Sequence, residues 1–287
     1  MTREVGHVRK PVVAVLGGKG MLGTDLVAAC AARGFDVHSY DLPEFNITDA
    51  EHVRNVVETS DAVINCAAYT DVDGAETHAE LAHRVNAQAV GCLGELAARL
   101  GKWVLHFSTD FVFDGTLERP YQETDSPNPI NEYGRSKLGG EELLARSGCS
   151  YCLVRLEWTY GAYGSNFVTK TIERAKTGLP LVVVEDQIGS PTPTTLVAQA
   201  VCELLGQRAQ GTFHLASAGY VSRFGMTQFV FERLGLDVDL RPCCSREYSA
   251  PADRPLNSRF DCSKIQALLK APLEPWQQGL ERFLRQL

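Results

Sequence analysis

Near the N-terminus, a run of glycines separates an apolar stretch from an amphipathic one, in AVLGGKGMLGTDLVAACAARG (residues 14–34). Gly17, Gly20 and Gly23 form a GxxGxxG pattern between the apolar run 12–16 and the helical pattern 21–33. Glycine allows positive φ and lets a diphosphate approach the amides at the start of a helix, whose dipole favours negative charge. The segment therefore predicts a strand, a turn and a helix that bind a dinucleotide, although such turns also occur where nothing binds.

Short β-branched runs alternate with longer helical patterns along most of the chain. Strands are predicted at Val12–Leu16, Asp36–Tyr40, Ala62–Asn65, Trp103–Phe107, Tyr151–Leu156, Leu181–Val184 and Thr212–Leu215. Helices are predicted near residues 21–33, 49–59, 76–100, 133–147, 165–177 and 194–206. This alternation is typical of a parallel sheet with helices on both faces, so we expect an α/β, doubly wound, Rossmann-like fold.

The texture of the sequence changes after Gly219, where a helical pattern is followed by a loop containing Pro and Ser and a final helical segment. Together with residues 157–180, this region is expected to form a smaller lobe over the carboxyl ends of the strands, where such sheets bind ligands. We predict a dinucleotide-binding domain of residues 11–156 with 181–217, and a substrate-binding lobe of residues 157–180 with 218–287.

Composition narrows the classes of partner. The chain of 287 residues has 28 Lys and Arg against 35 Asp and Glu, and the formal charge of −7 argues against nucleic acid or an anionic membrane. The sequence contains no apolar run of about 18 residues, the length needed to span a membrane. Residues 1–10 lack the apolar stretch of a secretory signal. The nine cysteines, including Cys149 and Cys152, are typical of small core residues in a reducing compartment. We expect a cytoplasmic protein without a metal site.

The second predicted strand ends in SYDLPEFNITD and bears on the choice of coenzyme. Asp41 lies about 20 residues beyond the glycine turn, where a carboxylate can accept hydrogen bonds from an adenosine ribose, which favours NADH. Lys19 lies inside the turn and could meet the 2′-phosphate of NADPH instead. The preference stays open, and Asp41 could also be a turn or capping residue.

Two further segments carry groups suited to ketone reduction. HFSTDFVFDG places Ser108 and Thr109 just past the fourth predicted strand, and YGRSK places Tyr133 and Lys137 on one face of a helix. A hydroxyl can polarise a carbonyl oxygen, a phenol can supply the proton, and an ammonium can lower the pKa of the phenol from about 10. A Tyr four residues before a Lys is usually a solvated helix face, but combined with the glycine turn it favours catalysis.

Ten segments spread over nearly the whole chain resemble one family. They are GGKGMLG, VINCAAYTDVDGAE, VNAQAVGCLGELA, FSTDFVFDG, PYQETDSPNPINEYGRSKLGGE, LVRLEWTYG, NFV, VVEDQIGSPTPT, GTFHLAS and RPLNSRFDCSKI. The combination of STDFVF, DQIGSPT and RPLNS is similar to the dTDP-4-dehydrorhamnose reductase (RmlD-like) group of the extended short-chain dehydrogenases/reductases. The resemblance implies hydride transfer from NADPH or NADH to the C4 keto group of a nucleotide-activated 6-deoxysugar, with dTDP-4-dehydro-L-rhamnose as the expected substrate.

The resemblance also implies roles for individual residues. Thr109 would polarise the keto oxygen, Tyr133 would donate the proton, and Lys137 would hold the nicotinamide ribose and acidify the tyrosine. The residues implied to bind the coenzyme are Gly17, Gly20, Met21, Leu22, Asp41, Ile47, Ala67, Ala68, Tyr69, Tyr133 and Lys137. Those implied to surround the sugar nucleotide are Val72, Asp73, Asp110, Phe111 and Trp158.

Some substrate residues have a simpler interpretation. Asp73 could cap the following helix, and Trp158 could be packing within the lobe. The diphosphate of the substrate needs cations, for which Arg254 is the first candidate and Arg223 the second, although each could be an ordinary surface arginine. Some relatives are described as dimers, and a homodimer is an expectation for this chain.

Two positions depart from the pattern of the family. Glu157 stands where the family usually has Ser or Thr before the tryptophan, and Arg223 stands where it usually has Trp. These two departures leave the identity of the sugar open, and three alternative functions remain. They are a related NDP-4-keto-deoxysugar reductase of an antibiotic sugar pathway, such as dTDP-dihydrostreptose synthase; an epimerase or dehydratase with tightly held NAD+; and a non-catalytic NADP-binding regulatory subunit like methionine adenosyltransferase β.

Overall fold

The computed structural model describes residues 9–287. Its strands are β1 Val12–Leu16, β2 Asp36–Tyr40, β3 Ala62–Asn65, β4 Trp103–Thr109, β5 Ser150–Leu156, β6 Thr159–Tyr160, β7 Leu181–Val184, β8 Ile188–Gly189, β9 Thr192–Pro193, β10 Gly211–Leu215, β11 Val221–Ser222 and β12 Leu240–Cys243. Its α-helices are α1 Met21–Ala32, α2 Ala50–Thr59, α3 Val72–Thr77, α4 Ala79–His83, α5 Ala89–Arg99, α6 Glu132–Arg146, α7 Phe167–Ala175, α8 Thr194–Gln207, α9 Arg223–Leu234, α10 Ser263–Gln266 and α11 Trp276–Leu284.

Six parallel strands form the main sheet in the order β10-β5-β4-β3-β1-β2. The chain runs outward from β1 to β2, then crosses to β3 on the other side of β1 and continues outward to β10. This reversal of direction beside β1 is the topological switch point of a doubly wound sheet. The predicted Rossmann-like fold is therefore confirmed.

Successive side chains of β1 point to opposite faces of the sheet and enter two separate cores. Val13 and Val15 pack in a cluster that includes residues of α1 and α8. Ala14 and Leu16 pack in a second cluster with residues of α2, α5 and α6. Because both faces are covered, the central strands are apolar without alternation. Residues just beyond the carboxyl ends of β1 and β2, such as Gly17 and Asp41, line a cleft above these cores.

The smaller lobe has its own core, and one predicted strand belongs to it. Leu181–Val184 forms a strand, but its assignment to the main sheet was wrong, since β7 pairs in parallel with β12 in a separate two-stranded sheet. Leu181 and Val183 pack with residues of α7, α9 and α11, whereas Val182 is exposed. A strand covered on one face shows this alternation, while β3 is buried throughout. The boundary at residue 181 shifts accordingly, and the rest of the domain division stays a prediction.

The helix predicted over residues 76–100 is interrupted. It consists of α3, α4, a π-helical turn at Arg84–Gln88, and α5. The break at His78 follows from its non-helical φ of −121° and ψ of 41°. The wide turn directs the Asn86 amide to the backbone of Tyr69, from whose N–H it accepts at 2.8 Å and to whose carbonyl it donates at 3.0 Å. Such turns are frequent at functional sites, and this one holds the loop after β3 in place.

Three features bear on the expectations from composition. All nine cysteines are free, and both Cys149 and Cys152 are buried. Among residues 9–287, no group of three or more His, Cys, Asp or Glu side chains is placed to hold a metal ion. In the same residues, none of the helices has both the length and the apolar character needed to cross a bilayer.

Candidate active site

A cleft of about 930 Å³ lies at the carboxyl ends of β1 to β5. Nearly all residues implied by the resemblance line it. They are Gly17, Gly20, Met21, Leu22, Asp41, Ile47, Ala67, Ala68, Tyr69, Val72, Thr109, Asp110, Phe111, Tyr133, Lys137, Trp158, Arg223 and Arg254. Asp73 lines instead an adjoining pocket of about 410 Å³ that shares Arg223 and Arg254 with the cleft.

The glycine turn is closely packed against its surroundings. Gly17 has a φ of +73°, and a Cβ there would lie 2.8 Å from the backbone nitrogen of Ala67. A Cβ at Gly23 would lie 2.1 Å from the Gly17 carbonyl oxygen. Gly20 begins α1 without a side-chain cap, so the first amides of the helix are left for another acceptor. This arrangement suits a diphosphate at the helix N-terminus.

Asp41 and Lys19 lie together at the end of the cleft beside β2. The two carboxylate oxygens of Asp41 accept hydrogen bonds from the backbone N–H groups of Lys19 and Leu42, each at 2.8 Å. The Lys19 ammonium forms an exposed salt bridge with Glu44 at 3.0 Å. Asp41 thus has the turn-stabilising role weighed as an alternative, and it also lines the cleft.

Thr109 ends β4 and shares its hydroxyl with a buried acid. Its Oγ1 donates to Asp110 Oδ1 at 3.0 Å and accepts from the backbone N–H of Phe111 at 3.2 Å. The hydroxyl of Ser258 donates to the other oxygen of Asp110. Burial raises the pKa of Asp110, and these two hydrogen bonds counteract part of that rise. To polarise a keto oxygen, the Thr109 hydroxyl has to turn away from Asp110.

Tyr133 lies in the first turn of α6, half-buried along the cleft. Its ring packs edge-on against Phe111, with centroids 5.6 Å apart. Desolvation of the hydroxyl raises the pKa of Tyr133 to about 12, and the negative charge of Asp110 acts in the same direction. The role of Lys137 in acidifying this phenol stays a prediction.

Lys137 is buried one helical turn beyond Tyr133. Its ammonium group donates to the Phe107 carbonyl at 2.7 Å and lies 3.4 Å from His106 Nε2. Desolvation lowers the pKa of Lys137 to about 8, although the Glu141 carboxylate counteracts this. The lysine is therefore poised to change its charge close to neutral pH.

The lobe contributes a stacked pair of side chains. Trp158 adopts a φ of +45°, a left-handed conformation that is strained for a bulky residue and recurs at functional sites. The guanidinium carbon of Arg223 lies 3.6 Å from the centre of the Trp158 ring and 4.8 Å from that of Phe167. The two departures from the family pattern are thus neighbours in space, since Glu157 precedes Trp158 and interacts electrostatically with Arg223.

Two acidic residues differ from their simplest interpretation. Asp73 does not cap α3, because Asp71 does so by accepting from the Gly74 N–H at 2.9 Å. Asp73 instead holds Arg254 through two hydrogen bonds of 2.9 and 3.0 Å. Glu157 is buried and accepts from the Ser190 N–H at 2.8 Å, and its Oε1 has no partner among the described residues.

Several residues of the cleft were missed from the sequence. They are Leu42, Phe45, Asn46, Thr48, Asn65, Cys66, Thr70, Leu81, Arg84, Val85, Phe107, Leu156, Thr159, Ser165 and Phe167. The polar residue at the end of the apolar run VIN was the available signal for Asn65. Residues such as Arg84 and Ser165 gave none, because they reach the cleft only through the path of the chain.

Comparison with known proteins agrees with this geometry. Residues 11–287 match the family model described as the RmlD substrate binding domain. The chain belongs to this RmlD family. The dTDP-4-dehydrorhamnose reductase of Mycolicibacterium smegmatis is 38% identical over 275 residues, which cover 94% of this chain and 84% of that protein. The Escherichia coli protein of the same name is 34% identical over 293 residues, covering 96% and 97%.

This chain resembles solved structures both of dTDP-4-dehydrorhamnose reductases and of more distant proteins with the same fold. A crystal structure of dTDP-4-dehydrorhamnose reductase from Bacillus anthracis, in complex with NADP, has a TM-score of 0.93 and 33% identity, covering 97% of this chain and all of that chain. The Thermus thermophilus UDP-glucose 4-epimerase complexed with NAD has a TM-score of 0.84 at 21% identity, covering 96% and 98%, and shows the shared fold. The resemblance predicted from the motifs is confirmed.

Proposed function

We propose that this protein reduces the C4 keto group of dTDP-4-dehydro-L-rhamnose with NADPH or NADH, giving dTDP-L-rhamnose. The main support for the proposal is that Thr109, Tyr133 and Lys137 line the same cleft as the glycine turn in an RmlD-family chain. The names of the relatives and the NADP complex of the Bacillus anthracis protein support it. A cytoplasmic location and a homodimer remain predictions.

The residues of the cleft fit a nicotinamide dinucleotide. A Cβ at Gly17 would collide with the backbone of Ala67, so the turn stays bare of side chains there. The buried Ser108 hydroxyl has no hydrogen-bond partner among residues 9–287. When bound, the coenzyme supplies the hydride. Tyr133 keeps its proton through neutral pH because its pKa is raised, and it donates that proton to the developing alkoxide. Once its hydroxyl turns away from Asp110, Thr109 gives a second hydrogen bond to the same oxygen, so the growing charge meets two donors.

The adjoining pocket suits the nucleotide diphosphate of the substrate. Four cationic side chains line it, namely Lys170, Arg174, Arg223 and Arg254. Aromatic surfaces of Trp158, Phe167 and Tyr248 lie beside them. Guanidinium groups bind phosphate oxygens through charge-assisted hydrogen bonds, and aromatic rings offer a face for a base. Because the pocket shares Arg223 and Arg254 with the cleft, one extended ligand can occupy both.

The test follows the absorbance of NADPH and NADH with enzymatically generated dTDP-4-dehydro-L-rhamnose. Oxidation of either coenzyme supports the proposal, and the two rates rank the coenzymes. Coenzyme binding without turnover would indicate a regulatory subunit. Bound NAD+ that survives dialysis would indicate an epimerase or dehydratase, and turnover only with another 4-keto sugar would indicate a related reductase.

Replacing Asp41 by Ser is expected to raise the KM for NADH about tenfold and to leave the KM for NADPH equal or lower. The carboxylate can accept hydrogen bonds from the ribose, and its charge repels a 2′-phosphate. Initial rates over a range of each coenzyme measure the change. Asp36→Ser, at the opposite end of β2, is the matched control. Equal shifts for both coenzymes would show that Asp41 only shapes the turn.

Replacing Arg223 by Ala is expected to raise the KM for the sugar nucleotide about 10- to 100-fold while kcat changes little. The lost group would be a charge-assisted donor to the diphosphate of the substrate, so its loss weakens binding of the ground state and of the transition state alike. Arg233→Ala is a close control, because Arg233 also lies on α9 and over an aromatic ring, that of Phe229. A fall in kcat with an unchanged KM would instead place Arg223 near the reacting carbon.

A further inference from the structure

A buried chain of polar side chains lies behind Lys137. Asn65 at the end of β3 and His106 in β4 are direct neighbours in the sheet register, and both are almost fully buried. Asn65 Nδ2 lies 3.1 Å from His106 Nδ1, and His106 Nε2 lies 3.4 Å from Lys137 Nζ. Lys137 covers this pair from α6 and donates to the carbonyl of Phe107, the residue after His106.

The proton positions follow from the fixed end of the chain. The backbone N–H of Ala67 can only donate, and its 3.0 Å bond to Asn65 Oδ1 fixes the orientation of the amide. Asn65 Nδ2 is then the donor toward His106 Nδ1, which has to be unprotonated. A neutral imidazole with a bare Nδ1 carries its proton on Nε2. That proton points at Lys137 Nζ.

The direction of this proton favours an uncharged lysine. An ammonium group has three donors and no acceptor, so it meets the Nε2–H of His106 donor against donor. A neutral amine accepts that hydrogen and still donates to the Phe107 carbonyl. If the lysine is charged, the imidazole has to move its proton to Nδ1, where it faces the Asn65 amide donors. Protonation of Lys137 therefore costs the chain one hydrogen bond.

We propose that His106, held in one tautomer by Asn65 and Ala67, is a positioning residue that controls the charge of Lys137. In the proposed reductase this control sets the pH at which the lysine stops assisting Tyr133, so that consequence rests on the proposed function. The tautomer of His106 does not depend on the proposed function. Burial holds the pKa of His106 well below its ordinary value, in agreement with a neutral ring.

Other titratable groups also face Lys137. Glu141 lies one turn further along α6 and raises the pKa of Lys137, as does Cys66 after β3, whereas desolvation lowers it. Tyr133 lies one turn before it on the same helix. None of these groups makes a hydrogen bond to the Nζ atom in the described residues, so His106 is the side chain whose replacement tests the control directly.

The first measurement uses the unaltered protein. The 15N chemical shifts of the two imidazole nitrogens distinguish the tautomers of a neutral histidine. We expect His106 in the Nε2–H form, with Nδ1 as a hydrogen-bond acceptor. The Nδ1–H form or a charged ring at neutral pH would overturn the proposal. This measurement needs neither coenzyme nor sugar nucleotide. It therefore tests the tautomer of His106 even if the reductase assay fails.

The second measurement titrates Lys137 by the 13Cε shift of labelled lysine. The chain has eight lysines, and Lys137→Met identifies the signal. In His106→Gln the side-chain amide oxygen can accept from the ammonium, so the titration midpoint should rise by about one pH unit, the equivalent of one hydrogen bond. A folded His106→Gln protein with an unchanged midpoint would contradict the proposal.

His214→Gln is the matched control for loss of a buried histidine. His214 lies in β10, where it contacts Arg155 at 3.3 Å and makes no hydrogen bond to Lys137 in the described residues, and burial together with Arg155 lowers its pKa to about 3. We expect the Lys137 midpoint to stay unchanged in this variant, and an equal rise would show a general effect of loosened packing. In the reductase assay, activity that needs the charged lysine is lost as the pH rises, and His106→Gln should move that loss upward by about one unit.

Discussion

Tyr133→Phe is expected to lower kcat at least about 100-fold, and up to about 10,000-fold, while coenzyme binding and thermal unfolding stay nearly unchanged. The phenylalanine keeps the edge-on contact with Phe111 and removes only the hydroxyl. Without the hydroxyl, the alkoxide has no positioned acid and loses one of its two donors. Absorbance assays of NADPH or NADH oxidation, with coenzyme titration by fluorescence, measure both quantities.

The control for Tyr133→Phe is Tyr151→Phe, which removes a phenol from β5 outside the cleft. It should leave kcat unchanged within about twofold. The pKa of Tyr133 is raised to about 12, so the proton required for catalysis is present throughout the neutral range and is lost only as the pH rises toward that value. A Tyr133→Phe enzyme that keeps a tenth of its activity would point to a different acid, and the buried Asp110 is the nearest candidate.

Elements with local signals were predicted well. β1, β2 and β3 have the predicted bounds, and β1 and β3 are short apolar runs closed by turn residues. The glycine turn was informative because only glycine fits the positive φ of Gly17 beside Ala67. The parallel sheet followed from the alternation with helices, since a parallel crossover needs a covering helix.

Features that depend on partners distant in the sequence were not predicted. Leu181–Val184 has the composition of a central strand, yet its partner at residues 240–243 places it in the lobe. Asp73, predicted at the sugar nucleotide with a helix cap as the alternative, holds Arg254, 181 positions away. Burial at Tyr133 was likewise not visible in the sequence, and there the loss of hydration raises the pKa of the phenol to about 12.

Arg155→Met is expected to destabilise the protein by about 3–5 kcal/mol, because it leaves a buried carboxylate without its partner. Arg155 and Glu141 form two hydrogen bonds of 2.6 and 2.9 Å, and their side chains are 6% and 8% exposed. Urea unfolding followed by circular dichroism gives the change. The control is Arg146→Met, which breaks the exposed ion pair of Arg146 with Glu142 on α6, the helix of Glu141. It should lower the free energy of unfolding by about 0.5 kcal/mol or less.

The pair variant Arg155→Met with Glu141→Leu separates the cost of an unpaired charge from the value of the ion pair. Replacing both partners by apolar groups is expected to recover most of the lost stability. It should also lower the pKa of Lys137 further below about 8, because the Glu141 carboxylate that favours the ammonium is gone. Activity that requires the charged lysine would then fall at a lower pH than in the unaltered enzyme. Full stability of Arg155→Met alone would show that the ion pair contributes little.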